Sequence, residues 1–133
     1  MAELSEALYS RLQAVSGVTA LVGTRVYPLR LPQAVTYPAV RYQVIDEERP
    51  GALDADIGLV WARVQLDSYA ATYLAAKQLA TALRAALRRA AWTEDGVQVQ
   101  DAELLVVQDE TEELAPDRLV YRVRHDFRVC YRE

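Results

Sequence analysis

The chain opens with apolar residues at helical spacing. Leu4, Leu8, Leu12 and Val15 fall on one face, which predicts a helix from about Glu3 to Val15. Ser16-Gly17 ends it, and Thr19 to Val22 leaves room for at most one further turn before Gly23. The period then changes. Arg25 to Tyr27 predicts a short strand that stops at Pro28, and a loop carrying Pro32 and closed by Pro38 follows. Proline fixes φ and removes a backbone donor, so this stretch joins two strands and cannot be helical. From Ala39 to Asp46, Val40, Tyr42 and Val44 alternate with Arg41 and Gln43, the pattern of a second strand.

Asp46 to Gly58 contains DEERPG and LDADIG, charged, proline-broken and closed by glycine, and predicts a long hairpin loop or arm. Loops of that length are uncommon in compact domains and often functional. Val60, Ala62, Val64 and Leu66 then alternate with Trp61, Arg63, Gln65 and Asp67 in a third strand. Tyr73, Ala76, Ala80, Leu83, Leu87 and Ala90 make the buried stripe of a second helix, about Ala71 to Ala91. Its polar face is Lys77, Thr81, Arg84 and Arg88, and the segment contains no acid. Arginines in its last turns complement the negative end of the helix dipole.

Glu94-Asp95-Gly96 predicts the turn into a fourth strand, Val97 to Gln108, and Asp109 to Glu113 a second acidic loop. The last strand, Leu119 to Tyr131, has a clean period of two. Leu119, Tyr121, Val123, His125, Phe127, Val129 and Tyr131 point one way; Arg118, Arg122, Arg124, Asp126, Arg128 and Arg132 point the other. The order is helix, three strands, helix, two strands. It predicts a single α+β domain: an antiparallel or mixed sheet of about five strands with two helices packed on one face.

Composition narrows the function. The 133 residues suffice for one domain burying about two-thirds of the surface its unfolded chain exposes. The hydrophobic share of 52% calls for no disulfide or metal staple. A net charge of -4 argues against generic nucleic-acid coating. One cysteine, Cys130, points to a reducing compartment, the first helix is unlike a secretory signal, and no apolar run approaches a membrane span.

Catalytic chemistry finds little support. The one histidine, His125, lies mid-strand on the apolar face and reads as a buried residue bonded to a neighbour. Cys130 lies five places on, hence on the opposite face, so the two form no thiolate-imidazole pair. There is no cysteine pair, HExxH, calcium-spaced loop or phosphate-binding glycine loop. No cofactor or metal is expected. An enzyme or ligand-binding subunit would have to use the polar sheet face, through Arg63, Asp67, Arg124 and Asp126.

Charge is more informative. An acidic protein carries an acid-free basic helix and a basic strand face, and gathers its acids in two loops and near the N-terminus. Dipole complementarity with cross-strand pairs around Asp67 and Asp126 is one sufficient account of this. Self-assembly is the other: the acidic loop of one copy meets the basic surface of the next, and such heterologous contacts close into rings. The interface residues expected from charge are Asp46, Glu47, Glu48, Arg49, Asp54, Asp56, Lys77, Arg84, Arg88, Asp109, Glu110, Glu112 and Glu113.

Three stretches carry a family resemblance: RVYPLRLPQAVTYPAVRYQVI, GLVWARVQLDSYAATYLAAKQLATALRAAL and LVYRVRHDFRVCY. In this order and spacing they cover nearly the whole chain, which resembles the small tail-completion and tail-to-head joining proteins of long-tailed bacteriophages, related in fold to tail terminators. The Ala- and Arg-rich ALRAALRRAA departs from that pattern. The resemblance implies a non-enzymatic virion component, assembled in the host cytoplasm as a homo-oligomer. It implies a ring, typically of about six copies, at the head-proximal end of the tail tube. Its partners would be the tube protein and a neck or head-completion protein, and packaged DNA would pass through the hole without specific binding. A neck adaptor of the same machinery is the alternative. An arginine-lined hole would retain DNA through counterion release, so an acidic segment is expected near it.

Overall fold

The computed structural model describes residues 3–50, 58–115 and 118–133. Among them are three helices, α1 (Leu4–Ala14), α2 (Ser16–Val22) and α3 (Tyr73–Leu87). Six strands accompany them: β1 (Val26–Pro28), β2 (Ala39–Glu48), β3 (Leu59–Ala70), β4 (Trp92–Glu94), β5 (Val97–Ala115) and β6 (Arg118–Arg132). They form one sheet in the order β1-β2-β3-β6-β5-β4. β1 runs parallel to β2 and every other pairing is antiparallel. The α+β class and mixed sheet agree with the sequence pattern; one helix and one strand more are present than it predicts.

The extra helix is α2. Val15 adopts an extended conformation and breaks the helical run, and Ser16 restarts it at once. The extra strand is β4, which forms because Asp95-Gly96 closes a two-residue hairpin. Both residues have positive φ, at 40° and 90°, and Glu94 pairs with Val97. That is the mirror-image turn whose twist suits adjoining strands, and Asp-Gly is a favoured pair for it. α3 is shorter at both ends than its apolar stripe suggests. Thr72 caps it, its hydroxyl accepting from the Ala75 amide at 3.2 Å. At the other end Arg89 takes a left-handed conformation and its amide donates to Ala102 O of β5.

Two charged segments expected as loops are strand. β2 continues through Asp46, Glu47 and Glu48, which pair with Arg63, Ala62 and Trp61. β5 continues through Asp109 to Glu113, pairing with Val123 to Leu119 of β6. Acidic residues are poor strand formers, but β6 is paired on its other side by β3 and presents a fixed template. The ladder overrides propensity. Gly51 to Ile57, the rest of the expected arm, lie outside the described residues.

Alternation on β6 divides the sheet into two faces. Val123, His125, Phe127, Val129 and Tyr131 share one face with Val60, Val64 and Leu66 of β3, and α3 covers it. α1 touches both β2 and β4, which lie far apart in the strand order, so the sheet curls around it. Register shifts at Val44/Asp46, Val99/Asp101 and Leu104/Val106 supply bulges that bend strands this way. Trp92 Nε1 donates to Ala7 O at 3.0 Å and Arg11 Nε to Ala86 O at 2.9 Å, tying α1 to β4 and α3.

The core explains stability and gives a direct check. Leu83 is fully buried in the main apolar cluster, whereas Leu74, on the same helix, is 68% exposed. Leu83→Ala should cost about 2–5 kcal/mol in urea unfolding. Leu74→Ala should change it by less than about 0.5 kcal/mol.

Candidate functional site

The other face of the sheet carries ions in rows. Its middle strand offers Arg122, Arg124, Asp126 and Arg128; β3 flanks them with Arg63, Gln65, Asp67 and Tyr69; β5 flanks them with Glu103, Gln108, Glu110 and Glu112. Asp67 is fully buried. Arg41 Nε donates to its Oδ2 at 2.9 Å and Gln65 Nε2 to the same oxygen at 2.9 Å, with Arg122 Nε 3.8 Å from Oδ1. Arg122 also pairs with Glu110, donates to Glu112 at 2.9 Å and lies over the Tyr69 ring. Asp126 accepts from Arg63 at 2.7 Å and from Arg124 at 3.0 Å. Burial pushes the Asp126 carboxyl up, and the hydrogen bonds from Arg124 and Arg63 outweigh it, leaving the group below its usual range.

Arg63, Asp67, Arg124 and Asp126 therefore do come together, as the polar-face reading requires, but as closed ion pairs. Each carboxylate is occupied by guanidinium and none is poised to take a proton. His125 is on the opposite face, fully buried, its ring 6.2 Å from Phe127 and its Nε2 3.2 Å from Arg84. Burial and the adjacent Arg84 charge lower its pKa to about 4, so it is neutral at physiological pH. Cys130 is buried, and burial together with Asp101 pushes its thiol up, the reverse of a nucleophile's need. No cluster of three or more metal-ligating side chains occurs among the described residues. Two clefts, about 480 Å³ beside Arg41 and Tyr69 and about 500 Å³ beside Trp61 and Arg128, gather no nucleophile with a base among the described residues.

The thirteen residues selected by charge have separate fates. Asp54 and Asp56 lie outside the described residues. Glu47 accepts from Tyr131 Oη at 2.8 Å and pairs with Arg49, which also pairs with Glu133. Lys77 reaches Asp109 at 3.0 Å and Tyr73 Oη donates to the same carboxylate at 2.6 Å. Those bonds hold Asp109 below its ordinary pKa. Glu110 and Glu112 belong to Arg122. Asp46, Glu48, Arg88 and Glu113 are exposed and make no side-chain ion pair among the described residues. Arg84 is half-buried and held only by neutral groups, His125 Nε2 and, at 3.2 Å, Thr81 Oγ1.

Charge counting missed Arg41 and Arg122, the ligands of Asp67. Alternation placed Arg122 on the polar face, but the strand neighbours it would meet were not visible while Glu110 and Glu112 were assigned to a loop.

A site made of closed ion pairs, neutral histidine and exposed unpaired charge suits contact rather than turnover, and comparison with known proteins agrees. The family model described as "Tail completion protein gp17" matches residues 6–132. The chain belongs to this family. Tail completion proteins of the gp17 family are structural components of phage tails and not enzymes. Among solved structures, a chain in "Virion of native gene transfer agent (GTA) particle" is similar in fold, with a TM-score of 0.80 at 22% identity. The match covers 98% of this chain and 95% of that one. No curated protein matches the sequence.

The buried histidine makes stability depend on pH in a defined window. Its folded pKa of about 4 lies below the ordinary 6.5, so between those values the unfolded chain binds the extra proton. Stability should therefore be complete above pH 6.5 and fall by about 3 kcal/mol on acidification to pH 4. His125→Gln should flatten that window while leaving the later loss from protonation of Asp126. Urea titrations of both proteins from pH 7.5 to 3.5 check it.

Proposed function

We propose that this tail completion protein works as a homo-oligomeric ring at the head-proximal end of a phage or phage-like tail. In that position it ends polymerisation of the tail tube and offers the surface to which the neck or head-completion protein docks. The observation carrying this reading is family membership over residues 6–132, joined to a fold shared along almost its whole length with a chain of a gene transfer agent virion. The ring is about six copies, as the resemblance implies, and the contacts between copies are heterologous.

The charge arrangement supports a passage for DNA that does not hold it. Four arginines of the open sheet face, Arg41, Arg63, Arg122 and Arg124, are neutralised inside the chain by Asp67, Asp126, Glu110 and Glu112, while Arg128 lies over the Trp61 ring. A bare row of guanidinium groups would bind the DNA backbone by counterion release; a row already paired has little to release. The acidic end of β5, Asp109 to Glu113, lies nearer the hole in this reading, and the basic flank of α3 faces a neighbouring copy.

Deletion of the gene from its producing element should leave filled heads separate from tubes, with tube length no longer controlled, when particles are imaged. Normal particles would overturn the proposal. For the isolated protein, light scattering with imaging of the largest species should find closed rings, and a tight twofold dimer would count against them.

A further inference from the structure

Several arginines meet no carboxylate among the described residues, and two of them, Arg84 and Arg88, stand together at the end of one helix, whereas others are balanced within the chain. Arg41 meets Asp67, Arg63 and Arg124 meet Asp126, Arg89 meets Asp101, and Arg122 meets Glu110 and Glu112. Lys77, on α3 itself, meets Asp109. Arg84, and Arg88 at the cap just past the end of α3, follow on the same flank and meet no carboxylate among the described residues. Like charges four apart on a helix repel, and Arg84 is half-buried besides, which raises the cost of leaving its charge unpaired. The negative end of the helix dipole offsets part of that cost only. Meanwhile the Arg84 guanidinium is fixed rather than free. His125 Nε2 holds one nitrogen at 3.2 Å and Thr81 Oγ1 the other at 3.2 Å.

A matching pair of acids lies across the molecule. Asp46 and Glu48 point to the same side of β2, exposed, and neither makes an ion pair among the described residues. Arg63, the cross-strand partner of Asp46, turns its guanidinium to Asp126 instead. The spacings agree. Alternate residues on a strand are about 6.7 Å apart, and residues four apart on a helix rise about 6 Å. One chain cannot join the two sets. The basic flank lies toward β5, through Lys77 and Asp109, and β3 and β6 separate β5 from β2.

We propose that Arg84 and Arg88 form a receptor for the Asp46 and Glu48 carboxylates of a second copy of this chain. The contact rests on the assembly reading above and narrows its thirteen charged residues to four, because the others that the structure describes are largely used within the chain. It joins two different surfaces, so it repeats head to tail and closes into a ring if the rotation permits. Its occupant is a copy of this chain because the two sets match in charge, number and spacing.

The test is a charge swap read by native mass spectrometry over a protein concentration series at low salt. Wild type should associate, and added salt should weaken it. Arg84→Glu with Arg88→Glu should weaken association at least about tenfold, and so should Asp46→Lys with Glu48→Lys. The two double variants mixed, or combined in one chain, should recover most of the loss. Arg88→Glu alone, at an exposed position, keeps the test decisive if the Arg84 variant misfolds. Failure of either double variant to weaken association, failure of the combined swap to restore it, or a wild type monomeric at every concentration overturns the contact. Each of those results leaves the tail-completion role standing or falling on the gene deletion instead.

Discussion

The period-two alternation of β6 is the constraint on which the rest of the molecule depends. This strand is hydrogen-bonded on both sides, by β3 from Leu59 to Ala70 and by β5 over nearly its full length. Its odd-numbered residues build the core beneath α3, and its even-numbered residues put arginine after arginine on the other face. Moving the register by one residue would place Phe127 among the ions and Arg128 under the helix. No helix packing would survive that exchange. The acids on β3 and β5 are therefore consequences of β6: once a central strand carries so many guanidinium groups, its neighbours must carry carboxylates opposite them.

Asp67 shows what this arrangement costs. A carboxylate taken wholly out of water loses several kcal/mol of hydration, returned only if its oxygens are well paired. Arg41 and Gln65 donate to Oδ2 from two strands, while Oδ1 takes no hydrogen bond and has only the Arg122 guanidinium 3.8 Å away. An apolar cluster of equal volume would hold the sheet as well or better. What the ions add is register specificity, since a slip of one residue would take Asp67 away from Arg41 and Gln65 and leave its charge buried alone.

Regular elements were legible in the sequence where a buried stripe repeated without interruption. α1, α3, β3 and β6 follow from apolar spacing alone, and the Asp95-Gly96 turn from its residue pair. The far half of β5 was not legible. Asp109 to Glu113 has the composition of a loop, and only the template offered by Val120 to Val123 makes it a strand. The same holds for Asp46 to Glu48, drawn into β2 by pairing with Trp61 to Arg63. Charge sorting picked out charged residues without showing which of them pair within the chain. Lys77 and Asp109 were both selected as surfaces for another copy, yet they bind each other, because pairing depends on how α3 lies over β5, a tertiary fact without a local signal.

That failure clarifies the functional reading. A protein that acts by catalysis concentrates its meaning in a few side chains, and such groups leave spacing patterns in the sequence. Here the charges are spread over surfaces, and composition alone cannot tell which of them pair within the chain. The fold performs the separation. Arg122, Lys77 and Arg89 are consumed inside; Arg84 and Arg88, seven and eleven residues beyond Lys77 on the same flank, meet no acid among the described residues, nor do Asp46 and Glu48 on the far side of the sheet meet a base. The bond from Arg84 also satisfies Nε2 of the fully buried His125. A guanidinium fixed in this way loses less entropy when a carboxylate arrives, which is why the proposed contact sets an acid of a second copy against it.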